Sequence, residues 1–74
     1  MPDHEFTIVV NGSLFRTTSH ELTGLQIKGI ANIPVDYELF LVEGTNSKPV
    51  ANEQPIHIHE KEEFRAIPAG TFGG

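Results

Sequence analysis

"FTIVVNGSLFRTT", residues 6–18, is the stretch on which the fold turns. Phe6 to Val10 is dense in aromatic and β-branched side chains, which suit a pleated, half-buried surface, and it reads as a strand. Asn11-Gly12 follows. Both central residues of a type I′ turn need positive φ, so this pair predicts a tight hairpin, although "NGS" also matches a glycosylation sequon. Ser13 to Thr18 then returns as the second strand. Side chains alternate along a strand, so Phe6, Ile8 and Val10 share one face, with Phe15 and Thr17 expected on the same side.

The period changes in "SHELTGLQIKGIANIP". Ile27, Ile30 and Ala31 fall at i, i+3, i+4, which predicts a helix of about ten residues with Thr23 as N-cap and a stop near Asn32 or Ile33. Pro34 forbids helical backbone at Ile33, and Gly24 and Gly29 weaken the segment by about 1 kcal/mol each relative to Ala. So short a helix does not survive alone in water, so it must lie on the hairpin.

"YELFLVEG", Tyr37 to Gly44, is the third strand. Tyr37, Leu39 and Leu41 are expected under the helix, which turns Phe40 and Val42 outward. "TNSKPVANEQP" reads as a polar turn region with at most a short edge strand around Val50, because Pro49 cannot donate to a ladder. "IHIHEKEE" is ambiguous between a strand and a charged loop with one buried Ile. Glu63 to Pro68 closes the domain as a last strand, and residues 69–74 are expected to be a flexible tail. One helix cannot cover two sheets, so the expected fold is α+β: a single mixed sheet of four or five strands in residues 1–68, the first and last side by side and parallel at its centre. That is the β-grasp layout.

Seventy-four residues make one domain at most, and a chain this short buries only about 60% of its unfolded surface. With no cysteine there is neither a disulfide nor a thiolate metal site, and the N-terminal residues show no signal-peptide pattern; a cytoplasmic location is the expectation. No apolar run approaches the ~20 residues of a membrane span. A net charge of −5, from 10 acidic and 5 basic residues, argues against a nucleic-acid partner.

This order of elements, the absence of cysteine and the closing Gly73-Gly74 together resemble ubiquitin and its relatives. More closely, "FTIVVNG", "DYELFLVEG" and "FRAIP" with a tail ending in two glycines resemble the bacterial ubiquitin-like domains called multiubiquitin domains. The resemblance implies a protein modifier. An activating enzyme would use ATP to adenylate the carboxylate of Gly74, and a conjugating enzyme would pass the modifier by thioester to a target protein. A protease would process or remove it. The chain would need no cofactor of its own. Gly73 and Gly74 lack a Cβ, so the backbone can thread a narrow enzyme channel with either sign of φ. Ala69, Thr71 and Phe72 stand where ubiquitin's tail is basic, which implies a dedicated activating enzyme.

Phe40, Val42 and Ile67 form the expected docking face, with Phe64 and Ala66 on the opposite pleat, and Arg65 and Phe72 join the candidate partner-binding set. Lys28, Lys48 and Lys61 are the only lysines and hence the side-chain acceptors for any self-linked chain. His57 and His59, at i and i+2, resemble half of a metal site, but with no third ligand placed the expectation is a solvated loop and no metal. No nucleophile elbow, phosphate-cradling loop or helical His pair occurs, so the chain is not expected to be an enzyme. The other readings are a sulfur carrier of the same fold, adenylated alike but ending as a thiocarboxylate, and an interaction module that is never conjugated.

Overall fold

The computed structural model describes residues 4–69. In it β1 (Phe6–Val10) and β2 (Ser13–Thr17) pair antiparallel, with Ile8 opposite Phe15 and Val9 opposite Leu14. Asn11 and Gly12 make the expected turn at φ 53° and 85°. There follow β3 (Glu21–Thr23), α1 (Gly24–Ile30), β4 (Tyr37–Glu43), β5 (Asn46–Val50), β6 (Pro55–His57) and β7 (Glu62–Pro68). Five strands form a mixed sheet in the order β2-β1-β7-β4-β5, in which β1 and β7 run parallel. The remaining two, β3 and β6, make a separate antiparallel pair.

The helix is held at both ends by its own sequence. Thr23 caps it in a reciprocal box: its hydroxyl accepts from the Gln26 N–H at 3.2 Å while the Gln26 side chain accepts from the Thr23 N–H at 2.9 Å. The next two orphan donors go to a distant loop, Gly24 N–H to the Gln54 carbonyl and Leu25 N–H to that of Asn52. All four N-terminal donors are thereby satisfied. At the other end Asn32 sits at φ 59°, and the N–H groups of Ile33 and Asn32 reach back to the carbonyls of Lys28 and Gly29. This is a Schellman closure, with Asn in the left-handed position that glycine usually takes.

Ile27 and Ala31 bring the helical stripe onto Ile8 and Val10 of β1, Leu39 of β4, and Phe64 and Ala66 of β7, with Leu22, Val50 and Ile58 completing the core. Four points differ from the sequence expectation. The helix has seven residues and ends at Ile30, because the Schellman turn consumes Ala31 to Ile33. β5 is a full five-residue strand and not a short one around Val50; it is an edge strand, so Pro49 costs no interior bond. β3 was not anticipated as a strand, and β6 takes up only Ile56 and His57 of the segment left open between strand and loop. Their buried residues are Leu22 and, just beyond β6, Ile58, the single buried isoleucine expected in "IHIHEKEE". β7 also begins one residue early, at Glu62.

Candidate functional site

Burial of Leu39, Phe64 and Ala66 fixes which pleat of β4 and β7 faces the core. The opposite pleat therefore carries Phe40, Val42 and Ile67, all half-buried, and Arg65, which is exposed. Phe40 lies between Arg65 of β7 and Pro49 of β5, Val42 lies between Glu63 and Ser47, and Ile67 lies opposite Glu38. The same face continues onto β1 and β2 through Val9 and Leu14, which are register partners; Val9 also pairs with Glu63. Leu14 is 70% exposed, the largest exposure among the bulky apolar side chains of the described residues. Two apolar flanks thus border a central line of charge, Glu63 and Arg65. Leu14 and Val9 were missed in the sequence, yet alternation about Phe15 and Ile8 would have placed both outward.

Directly below this face, β1 stops at Val10 while β7 continues, which would leave the N–H and carbonyl of Ala66 facing no strand. The side chain of Asn11 takes their place. Its Oδ1 accepts from the Ala66 N–H at 2.9 Å and its Nδ2 donates to the Ala66 carbonyl at 3.1 Å. Asn11 is therefore both a turn residue and a one-residue substitute strand, beside the last residues of β7. Asn11→Gly keeps the positive φ and removes only the amide; it is expected to cost about 2 kcal/mol, because two partners of a sheltered backbone unit are lost. Urea unfolding reads the stability, and the Ala66 amide should exchange much faster with deuterium. An unchanged Ala66 exchange rate would sink this assignment.

The lysines divide sharply. Lys28 is 3% exposed, and its ammonium donates to the Val35 and Tyr37 carbonyls and to Asn52 Oδ1. With all three protons donated it offers no nucleophile, which removes it from the candidate chain acceptors. It lines an open cavity of about 610 Å³ with Tyr37, Leu39, Phe40, Val50 and Asn52. Lys48 and Lys61 are exposed; Lys48 makes only a surface ion pair with Glu43 at 3.4 Å. Phe72, Gly73 and Gly74 lie outside the described residues. Among the described residues no helix is long and apolar enough to cross a membrane. Compared with protein families, curated proteins and solved structures, the chain matches none.

Proposed function

We propose that this chain is a ubiquitin-like β-grasp protein modifier, attached to targets through the carboxylate of Gly74. The observation that carries this reading is the parallel pairing of β1 with β7 inside the sheet, with β4 on the other side of β7. β7 ends at Pro68, one residue beyond Ile67, so the outward face of Phe40, Val42 and Ile67 lies beside the point from which the sequence runs on to Gly74. A rigid body with a docking face next to a side-chain-free end is what a modifier requires: an enzyme grips the face and draws the end into its site.

In that reading the Gly74 carboxylate attacks the α-phosphate of ATP, releasing pyrophosphate and forming an acyl adenylate. A cysteine thiolate of the activating enzyme displaces AMP to give a thioester, which is transferred to a conjugating enzyme and then opened by a target nucleophile, an amine or a hydroxyl, with release of the thiolate. Phe40, Val42, Ile67, Arg65 and Phe72 would meet these partners, and Lys48 or Lys61 would accept a further copy.

Incubation with ATP and an activating enzyme from the same cells tests this. The expected result is an adduct that disappears on thiol treatment, and deletion of Gly74 is expected to abolish it without shifting the unfolding midpoint. A sulfur carrier would instead show the mass change of one oxygen exchanged for sulfur in protein taken from cells. An interaction module would tolerate loss of Gly73 and Gly74 and lose its partner on Phe40→Ala.

A further inference from the structure

The pairing of β3 with β6 brings His20 beside His57 and His59, nearly forty positions on in the sequence. Glu21 is the register partner of His57, and the Ile58 N–H donates to the His20 carbonyl at 2.9 Å. The backbone at His20 is thus locked beside His57 and Ile58. The imidazole of His20 lies 6.2 Å from that of His57 between ring centres, and His57 lies 6.1 Å from His59. His57 is the hub. All three rings are exposed.

A second feature points the same way. Glu62 Oε1 lies 3.0 Å from His59 Nδ1 and also accepts the His59 backbone N–H at 3.1 Å. The Glu62 side chain is only 14% exposed while that of His59 is 76% exposed. A carboxylate only accepts, so Nδ1 carries a proton in this contact, and in the neutral ring the lone pair is left on Nε2. A sheltered carboxylate that fixes the tautomer of an exposed imidazole is the arrangement that orients histidine ligands toward a metal.

Among the described residues no three His, Cys, Asp or Glu side chains stand where they could hold a metal ion as they are placed. Two imidazoles sharing an ion at metal–nitrogen distances of about 2.0 Å have ring centres about 5 Å apart in tetrahedral geometry. The separations here are close to that, and exposed side chains reach it by rotation about their own bonds. We propose that His57, together with His20 and His59, binds one divalent first-row transition ion of the imidazole-preferring kind, such as Zn²⁺ or Ni²⁺. The ion fastens the three-residue β3–β6 pair to the turn that leads into β7. Ca²⁺ and Mg²⁺, which take oxygen ligands, are not bound there.

The test titrates the full-length, untagged chain with ZnCl₂ and with NiCl₂, by calorimetry and by thermal unfolding. One equivalent of at least one ion should bind saturably in the micromolar range and raise the unfolding midpoint by about 5 °C at saturating metal. His57→Gln should abolish binding, while His20→Gln and His59→Gln each weaken it about tenfold. The metal-free midpoints of His20→Gln and His57→Gln should match the parent, since those rings are exposed, and that separates lost binding from lost folding; His59→Gln, which also alters the contact with Glu62, is read by calorimetry on the folded protein. His4→Gln should change nothing. Absence of saturable binding, or binding that survives His57→Gln, overturns the proposal.

Discussion

Gly24→Ala is expected to destabilise the domain by about 3 kcal/mol, although alanine is the better helix former by about 1 kcal/mol. A Cβ on Gly24 would stand 2.4 Å from the Ala51 carbonyl oxygen and 3.2 Å from Val50 Cγ1. The first of these is backbone and has no rotamer in which to escape. Nor can the loop simply retreat, because the carbonyls of Asn52 and Gln54 accept from Leu25 and Gly24. Moving the loop to admit a methyl group breaks the bonds that start the helix. Gly29→Ala is the matched control: its Cβ would meet nothing within 4 Å on an exposed turn of the same helix, so a gain of about 1 kcal/mol is expected. Urea unfolding of the two variants against the parent gives the comparison, with the folded state checked by backbone amide spectra. Opposite signs are the expected result; equal stability of Gly24→Ala and the parent would mean that the loop does not press on the helix.

This pair also shows where sequence reading stops. From propensity alone Gly24 and Gly29 were equivalent weaknesses in a helix. What distinguishes them is a loop at residues 51–54, nearly thirty positions away, and no local pattern encodes its approach. The hairpin was legible because Asn11-Gly12 has one good backbone solution and alternation in Phe6–Val10 has one good register. The faces of β4 and β7 were legible for the same reason: Leu39, Phe64 and Ala66 fell on the core side and Phe40, Val42 and Ile67 on the other. The N-cap at Thr23 was visible from its position before the stripe. By contrast β3, at three residues, is shorter than any window in which period two can be recognised, and in "IHIHEKEE" the period of two was offset by charge, so β6 stayed open between strand and loop. β5 is polar with a proline in it, and only its place at the sheet edge makes it a strand. His20 carried no pattern at all, since its neighbour His57 comes from the opposite half of the chain.

Lys28 was the furthest from its expected place, and Lys28→Met is expected to cost about 3 kcal/mol. Methionine keeps most of the buried stem, so the change isolates the ammonium. That group ties three segments together: the Val35 carbonyl after the helix at 2.9 Å, the Tyr37 carbonyl at the start of β4, and Asn52 Oδ1 at 2.6 Å. Its removal leaves three sheltered acceptors without a donor, which costs more than the bonds themselves contributed. Lys48→Met, on an exposed side chain, should stay within about 0.5 kcal/mol of the parent. Gly24 in the first turn and Lys28 in the last are also coupled, because Asn52 serves both: its side chain receives Lys28 and its carbonyl receives Leu25, beside Gly24. Once Gly24→Ala has pushed the loop away, Lys28 has already lost part of its anchorage, so the double variant should lose less than the sum of the two singles. A strictly additive double variant would show the two contacts to be independent. A Lys28→Met midpoint as high as that of Lys48→Met would show that water in the adjoining cavity serves those carbonyls as well as the ammonium does.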